Sequence, residues 1–187
     1  EEFIFMSSMI VYGDSAPYGK RKVIDRHTVP VPANFYGDSK LQADVGVREL
    51  ADDQFKVIVL RPPMIYGKGS KGNYATLAKL AKRLPVFPDV DNQRSMLHID
   101  NLCEFLCQTM LVEIKKNSVV FLPQNGEWTK TADMVGYITE SAGKRSRKLK
   151  FLNIMVALAG KVPGKIGGMV HKAFGNSVYD CVDSKYP

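Results

Sequence analysis

The sequence predicts an α/β protein built around a parallel sheet, and three observations lead to that prediction. Runs of apolar and β-branched residues at 3–6, 57–60 and 119–122 have the length and composition of buried strands. Segments with apolar residues at helical spacing lie between these runs. The composition, 45% hydrophobic and 24% charged, is that of an ordinary globular chain. Strands that alternate with helices are typical of parallel sheets covered by helices.

The first element is a strand over Phe3-Ile4-Phe5-Met6, which ends at the polar pair Ser7-Ser8. Two glutamates precede the run, and no start methionine is present. Because a buried parallel strand needs a neighbour on each side, we expect this chain to be the C-terminal part of a longer protein.

A loop, a helix and a second strand follow. Residues 14–33 are rich in Pro, Lys and Asp and predict a loop. Near-helical spacing predicts a helix from Tyr36 to Leu50, with Asn34 as its N-cap. The apolar residues that predict this helix are Leu41, Val45, Val47 and Leu50. The strand at 57–60 ends at Arg61-Pro62-Pro63, because proline cannot remain in a central strand.

The rest of the chain continues the alternation. Helices are predicted at 74–83, 98–114, 131–141, 149–159 and 165–174, and strands at 86–87 and 119–122. Thr129 or Thr131 is the expected cap of the helix at 131–141. Pro163-Gly164 separates the last two helices.

Composition excludes several classes of protein. No apolar run reaches the roughly 18 residues that a membrane-spanning helix needs. Three cysteines do not make a disulfide scaffold. Cys103 and Cys107 lie in an apolar helical pattern, so we expect buried thiols and a reducing cytoplasm. We predict no metal site.

Positive charge is concentrated in one region. The formal net charge is +7, yet no acidic residue occurs between Glu140 and Asp180, where eight Lys and Arg residues lie. With only one basic region, the chain does not resemble a nucleic-acid-binding protein. This 144–172 region is either a solvated face or a surface for phosphate groups or anionic lipid.

Residues 67–72, Gly-Lys-Gly-Ser-Lys-Gly, match the G-x-G-x-x-G pattern of dinucleotide-binding turns. In such a turn the first glycine follows directly on the strand. Here five residues, two of them proline, separate the strand end at 60–61 from Gly67. We therefore interpret this segment as a phosphate-facing or simply flexible loop, and not as the dinucleotide turn.

Tyr36 and Lys40 are the candidate catalytic pair. They are four residues apart at the start of a helix, which places them on one face. An ammonium near a phenol lowers the pKa of the phenol, so the tyrosine can exchange a proton closer to neutral pH. Ser8 follows a strand that we predict to be parallel, and active groups of open α/β sheets gather at the carboxyl ends of strands.

Four segments together carry a more specific pattern. They are Phe5–Gly13 (FMSSMIVYG), Tyr36–Lys40 (YGDSK), Leu60–Gly69 (LRPPMIYGKG) and Arg94–Leu102 (RSMLHIDNL). In this order they resemble four motifs of the extended short-chain dehydrogenase/reductase family, the NAD-dependent epimerases and dehydratases. The motifs are the catalytic Ser/Thr segment, Y-x-x-x-K, L-R-P-x-x-x-Y-G-x-G and R-x-x-x-H-V-x-D-x. The resemblance covers residues 3 to about 115.

The resemblance implies an architecture and a cofactor. The chain would be the C-terminal half of a Rossmann-type doubly wound parallel sheet plus a small mixed α/β substrate-binding subdomain. Residues 1–66 would belong to the dinucleotide-binding domain, and residues 67–187 mainly to the nucleotide-sugar subdomain. The cofactor would be NAD, with NADP as the alternative. The full-length protein would be a homodimer paired through the Tyr36–Leu50 helix.

The resemblance also implies roles for individual residues. Tyr36 would move the proton on a sugar hydroxyl while hydride passes to the nicotinamide, and Lys40 would hold the nicotinamide ribose. Ser8 would hydrogen-bond the reacting sugar oxygen. Ser7 and Pro63 would lie along the cofactor.

Two further residues would meet the diphosphate of the substrate. These are Asn73 and Arg94, and the alternative for Arg94 is a surface ion pair with Asp89 or Asp91. His98 would support its loop structurally.

The activity implied is that of a nucleotide-sugar epimerase similar to UDP-glucose 4-epimerase, with a UDP-linked substrate expected. The alternatives are a 4-keto-sugar reductase or dehydrogenase of polysaccharide biosynthesis, and an inactive fragment or binding member of the fold. Many sugar epimerases carry Asn where this sequence has Met64, which weakens the case for a galactose-type enzyme.

Overall fold

The structure is a computed structural model that describes residues 1–17 and 19–181. Residues 182–187, at the end of the predicted nucleotide-sugar subdomain (67–187), lie outside the described residues. The strands are β1 (Glu2–Met6), β2 (Val23–Ile24), β3 (Lys56–Leu60), β4 (Met64–Tyr66), β5 (Val86–Pro88), β6 (Met96–His98), β7 (Ser118–Phe121), β8 (Arg147–Leu149) and β9 (Val178–Tyr179). The helices are α1 (Phe35–Glu49), α2 (Asn73–Ala81), α3 (Ile99–Leu111), α4 (Thr131–Ser141), α5 (Leu152–Gly160) and α6 (Lys165–Phe174), with a 3₁₀ helix at Met9–Tyr12.

A three-stranded parallel sheet in the order β1-β3-β7 forms the centre of the first half. Strand β3 lies in the middle, and its residues from Val57 to Leu60 are fully buried. Strand β7 comes after α3 and returns the chain to this sheet. The predicted parallel α/β sheet is therefore confirmed, and the strands predicted at 3–6, 57–60 and 119–122 belong to it. The strand predicted at 86–87 is β5, which pairs with β8 in a separate sheet.

Alternation of side chains along the strands produces two apolar faces. Ile58 and Leu60 pack with Leu102 and Phe105 of α3 on one face. Val120 packs on the opposite face with residues of the 3₁₀ helix and of α1. The sheet thus holds α1 and α3 on opposite sides.

A separate apolar cluster organises much of the second half. Its buried members come from α2, α4, β5 and β6 and are Ala81, Phe87, Met96, Ala132, Met134, Val135 and Ile138. Two short parallel pairs, β2 with β9 and β4 with β6, connect this half to the rest, and a third, β5 with β8, lies within it.

The sequence did not predict the short strands β2, β4, β6, β8 and β9. Each has two or three residues, too few to show a two-residue period. The predicted helix start at residue 149 is wrong, because Leu149 ends β8 and α5 begins at Leu152.

One predicted helix cap is confirmed and one is wrong. Asn34 caps α1, since its Oδ1 accepts a hydrogen bond from the Gly37 amide at 3.0 Å. Neither Thr129 nor Thr131 caps α4, whose N-cap position is Lys130 without a side-chain cap. The Thr131 amide instead donates to Oδ1 of Asn92 at 3.0 Å, so a distant residue does the capping.

The expectation of buried thiols on α3 is wrong. Cys103 and Cys107 are both exposed. Helix α3 contacts the sheet through Leu102, Phe105 and Leu106, and a helix turns about 100° per residue, which carries the row at 103 and 107 away from the sheet. Within the described residues, no helix is long and apolar enough to cross a membrane.

Candidate active site

The carboxyl end of β1 forms the first wall of the candidate site. The Ser7 amide donates to the Leu60 carbonyl at 2.8 Å, and the Met9 amide donates to the Pro62 carbonyl at 2.9 Å. These bonds fix the turn after β1 to the turn after β3. Ser8 lies between them, half-buried, at the strand end where the sequence predicted it.

Helix α1 forms the second wall. Lys40 Nζ donates to the Met6 carbonyl, the last residue of β1, at 3.0 Å and lies 5.4 Å from the centroid of the Phe5 ring. Tyr36 lies one turn earlier on the same helix face, and it is 58% exposed. The helix therefore anchors the ammonium at the strand end and leaves the phenol open to a ligand.

A glycine allows these two walls to meet. A Cβ built on Gly37 would lie 2.9 Å from the Ile10 carbonyl oxygen and 3.1 Å from Cβ of Pro32. Only a residue without a side chain lets the first turn of α1 approach the 3₁₀ helix so closely. Ser8 is the N-cap of that 3₁₀ helix, and its Oγ accepts from the Ile10 amide at 3.3 Å. The elements that carry Ser8, Tyr36 and Lys40 thus meet at one edge of the sheet.

Sequence reasoning missed a buried ionic network behind this edge. Asp44 is fully buried on α1, one turn after Lys40. Its carboxylate accepts from Arg61 Nε at 2.8 Å, from Arg61 Nη2 at 3.0 Å and from Arg48 Nε at 3.0 Å. Arg61 Nη1 also donates to the Tyr12 hydroxyl at 2.7 Å, and its carbonyl accepts from the Tyr179 hydroxyl at 2.5 Å. The network connects α1 to the end of β3.

Burial and charge compete in setting the ionisation of this network. Burial alone would raise the pKa of Asp44, but the hydrogen bonds and charge of Arg61 outweigh it and hold that pKa below its usual range. Burial raises the pKa of Tyr12 even though Arg61 opposes the change, and it raises the pKa of Tyr179 well above its usual range. Asp44 is therefore ionised and both phenols are neutral at physiological pH.

Ser7 and Pro63, the predicted cofactor-side residues, are both buried at this edge. The Ser7 hydroxyl makes no hydrogen bond of ordinary geometry within the described residues. It nevertheless contributes to the low pKa of Asp44, so it lies near that carboxylate.

The two residues predicted to meet a diphosphate lie in the second half. Asn73 is the exposed first residue of α2. Nη1 of Arg94 donates to the carbonyls of Lys172 and Ala173, at 2.6 and 3.3 Å, near the end of α6. Burial lowers the pKa of Arg94. Asp91 pairs with Lys130 at 2.8 Å, and within the described residues Arg94 forms no ion pair with Asp89 or Asp91.

The long strand β3 ends at Leu60, as predicted, and the glycine-rich loop at 67–72 directly follows the short strand β4, which the sequence did not predict. Strand β4 pairs with β6 in a separate two-stranded sheet, so the loop does not follow a central strand. A Cβ on Gly67 would lie 2.6 Å from Ile99 Cγ2, and φ at Gly67 is +136°. This glycine therefore allows close packing against the start of α3.

His98 has a structural role in the chain, as expected. It is the N-cap of α3, and its Nδ1 accepts from the Asp100 amide at 3.3 Å. Its ring packs edge-on against Tyr66 with centroids 5.0 Å apart. Asn125, which the sequence did not single out, accepts from the His98 amide at 3.1 Å and donates to the Tyr66 hydroxyl at 2.9 Å.

A sequence model of the NAD dependent epimerase/dehydratase family matches residues 1–120, well over half of the chain. The chain belongs to this family. Its resemblance to the extended short-chain dehydrogenase/reductase motifs is thereby confirmed.

Two curated relatives are similar to this epimerase/dehydratase family member. UDP-glucose 4-epimerase of Vibrio cholerae is 33% identical over 170 residues, which cover 88% of this chain and 51% of the relative. N-acetyl-alpha-D-glucosaminyl-diphospho-ditrans,octacis-undecaprenol 4-epimerase of Escherichia coli O157:H7 is 31% identical over 111 residues, covering 57% and 32%. The chain thus spans about half the length, or less, of the curated relatives it matches.

Solved structures show the same fold. UDP-glucuronic acid 4-epimerase from Bacillus cereus, in complex with NAD, superposes with a TM-score of 0.69 at 16% identity, covering 98% of this chain and 52% of that one. dTDP-4-dehydrorhamnose reductase from Bacillus anthracis, in complex with NADP, superposes with a TM-score of 0.64 at 18% identity, covering 95% and 55%. The predicted Rossmann-type fold, present in part, is confirmed.

Proposed function

We propose that this chain carries the catalytic edge of an NAD(P)-dependent nucleotide-sugar epimerase of the UDP-glucose 4-epimerase kind. The observation that carries the proposal is the contact of Lys40 Nζ with the last carbonyl of β1, on the helix face that holds the open phenol of Tyr36. Ser8 follows that same strand. The Vibrio cholerae relative supports the choice of a UDP-sugar as substrate.

The residues at this edge fit the nicotinamide end of a dinucleotide. The one hydrogen bond that the described structure gives Lys40 leaves two ammonium hydrogens for the ribose hydroxyls. The buried Ser7 hydroxyl lies near the Asp44 carboxylate, and its lone pairs accept no hydrogen bond of ordinary geometry from the described residues. Pro63 offers an apolar surface without an amide hydrogen. When bound, the nicotinamide supplies the hydride acceptor and donor.

Proton transfer falls to the chain's own residues. Tyr36 acts as the phenolate: it takes the proton from the sugar hydroxyl at the carbon that loses hydride and becomes the phenol, and it becomes the phenolate again when it returns the proton as hydride comes back. The role of the Lys40 ammonium is to favour the phenolate form by its positive charge. Ser8 hydrogen-bonds the reacting sugar oxygen and keeps it near the phenol.

We propose that Asn73 and Arg94 bind the diphosphate of the substrate. In the described structure Arg94 uses only Nη1, so Nη2 and Nε are free to bind two phosphate oxygens. Its half-buried charge faces no carboxylate within hydrogen-bonding distance in the described part of the chain, and a phosphate would offset the partial loss of hydration that lowers its pKa. In this proposal residues 1–66 serve the dinucleotide and residues 67–187 mainly the nucleotide sugar.

The proposal is tested on the protein purified at its full encoded length without added cofactor. After denaturation, we expect chromatography to find about one nicotinamide nucleotide per chain, because an epimerase recycles its cofactor internally. The native protein is then expected to interconvert UDP-glucose and its 4-epimer without net formation of NADH. An empty protein that consumes NAD(P)H with a keto-sugar would instead be a reductase, and the proposal would be wrong.

A lipid-linked sugar diphosphate is the second candidate substrate. The Escherichia coli relative is named for a substrate of this kind. Exposed apolar side chains on α5 and α6, such as Ile154, Leu158 and Met169, favour a substrate held in a membrane. We expect the rate of epimerisation to differ by at least tenfold between UDP-N-acetylglucosamine and its polyprenyl-diphosphate counterpart under identical conditions. Faster turnover of the polyprenyl-diphosphate sugar would favour the second candidate.

A further inference from the structure

Helices α5 and α6 form a hairpin whose outer surface is apolar. Seven large apolar side chains between residues 151 and 169 are 42% to 71% exposed. We call this surface the hairpin face, and its members are Phe151, Ile154, Met155, Leu158, Val162, Ile166 and Met169. Large apolar side chains at this density are unusual on a surface that meets only water.

The spacing of these residues places them along one side of each helix. Residues 154, 155 and 158 lie one turn or less apart on α5, and residue 151 is its N-cap. Residues 166 and 169 are three apart on α6, and Val162 lies in the connection between the two helices. Each helix thus presents one apolar stripe outward.

Small residues hold the two helices together and keep the large side chains outside. A Cβ on Gly167 would lie 2.2 Å from the Val162 carbonyl oxygen, and one on Gly160 would lie 3.3 Å from Val170 Cγ1. The close approach of the helices therefore depends on residues without side chains. Val156 is buried, whereas its neighbours Met155 and Leu158 are 64% and 61% exposed. The apolar stripe thus remains exposed when the described residues have folded.

The segment that forms the hairpin face carries charge of one sign. No acidic residue occurs between Glu140 and Asp180. Exposed lysines flank the stripe at helical neighbour positions: Lys150 is four residues before Ile154, Lys161 is three after Leu158, and Lys172 is three after Met169. Lysine stems can lie along an apolar surface while their ammonium groups reach phosphate headgroups.

We propose that the hairpin face docks on an anionic lipid bilayer, with α5 and α6 lying in the plane of the interface. An apolar stripe between lysines is the pattern of interfacial helices, and its charge complements the negative surface of anionic lipid. A second copy of this chain is a poorer occupant, because its hairpin would bring the same positive charges together. This inference does not depend on which substrate the catalytic edge uses.

Cosedimentation with lipid vesicles tests the docking. The protein at its full encoded length is mixed with vesicles of pure phosphatidylcholine or of phosphatidylcholine with phosphatidylglycerol. We expect at least tenfold stronger partition onto the anionic vesicles, weakened by salt. The variant Ile154→Ser/Leu158→Ser should lose at least tenfold in partition, and Lys161→Gln/Lys172→Gln should lose about tenfold on anionic vesicles.

Matched variants on other surfaces serve as controls. Met110→Ser/Leu111→Ser changes two apolar side chains that are 61% and 80% exposed on α3, and Lys79→Gln/Lys116→Gln removes two charges elsewhere. Both should bind vesicles as the unchanged protein does.

Two results would overturn the proposal. One is failure of the unchanged protein to sediment with anionic vesicles. The other is equal binding by the hairpin-face variants and the α3 controls. A change in oligomeric state in the Ile154→Ser/Leu158→Ser variant, without vesicle binding by the unchanged protein, would show that a second copy covers the face.

Discussion

Asp44 connects the stability of the fold to the geometry of the candidate site. It lies one turn after Lys40 on α1 and receives three hydrogen bonds from Arg61 and Arg48. Arg61 directly precedes Pro62-Pro63, beside the end of β3. We therefore assign Asp44 a positioning role, because it fixes the helix of Tyr36 and Lys40 against the strand ends.

Removal of the Asp44 charge should lower the stability of the fold. In Asp44→Asn the buried Arg61 guanidinium loses its counter-charge, so we expect a loss of about 3–5 kcal/mol in the free energy of unfolding, measured by urea denaturation. Glu49→Gln, at the exposed end of the same helix, should change it by less than about 0.5 kcal/mol. Equal stability of the two variants would contradict the assigned role.

The ion pair of Asp44 with Arg61 predicts how the free energy of unfolding depends on pH. The pKa of Asp44 in the folded chain lies below the usual 3.8 of an aspartic acid, so its contribution is complete above that value and is lost as pH falls through the folded-state pKa. The difference in free energy of unfolding between the unchanged chain and Asp44→Asn should thus stay constant from neutral pH to about pH 5 and shrink below about pH 4. A difference that does not shrink in acid would contradict the contribution assigned to ionised Asp44.

The residues that we propose to handle protons could be named from the sequence, whereas the residues that hold them in place could not. Tyr36 and Lys40 are four apart in one helix, so their spacing is local. Asp44 and Arg61 are 17 residues apart, on different elements, and the local partner of Asp44, Arg48, does not indicate that Arg61 joins it. The one sequence signal for this network is that Asp44 lies four residues after Lys40, on the same face of the predicted helix.

The junction between α1 and the 3₁₀ helix is the key contact at the scale of elements. Helix α1 was predicted from apolar spacing, yet Val45 and Leu50 of that pattern are 37% and 66% exposed. The residues that α1 buries are Gly37 and Asp44. Close backbone approach and an ion pair, in addition to the packing of Leu41, therefore hold this helix in place.

Gly37→Ala should separate the two elements. Its Cβ would lie 2.9 Å from a backbone oxygen, so we expect a loss of about 1–3 kcal/mol in the free energy of unfolding and lower turnover. Gly136→Ala is the control in α4, where the nearest atom is the flexible end of Lys148 at 3.4 Å. It should stabilise the chain by about 0.5–1 kcal/mol, since alanine favours helix interiors. Thermal unfolding of both variants measures these changes in stability. Stabilisation by Gly37→Ala would contradict the close approach of α1 to the 3₁₀ helix.

Long elements could be predicted from the sequence and short ones could not, for a physical reason. Helix α4 was predicted with its observed bounds because an eleven-residue amphipathic segment shows its own period. Its cap comes from Asn92, 39 residues away and fully buried. Pairs such as β2 with β9 exist only because tertiary packing brings distant segments together.

The whole molecule presents two unusual surfaces at different places in the fold. One is the catalytic edge with α1, and the other is the hairpin face of α5 and α6. Together they describe a protein that would dock on anionic lipid through one surface and hold a dinucleotide at the other. The exposed side of α1 remains available for the homodimer expected of the full-length protein.

We predict that Gly46→Arg disrupts that homodimer. A Cβ on Gly46 meets no atom within 4 Å in this chain, so a long charged side chain can be placed there without a clash, but it would project into a partner helix. Sedimentation velocity should find a dimer for the unchanged full-length protein and a monomer for Gly46→Arg. Gly126→Arg, which also points into open space, should remain dimeric. A monomeric unchanged protein would refute pairing through α1.

The central claim is that Tyr36 transfers the proton at the catalytic edge, and Tyr36→Phe tests it most directly. The phenol is 58% exposed, so removal of its oxygen should leave the fold and the unfolding temperature unchanged. Turnover of the UDP-sugar should fall by roughly 10²- to 10⁴-fold. Tyr137→Phe, at a tyrosine that is 63% exposed on α4, is the matched control and should keep full turnover. Unchanged turnover in Tyr36→Phe would contradict the claim.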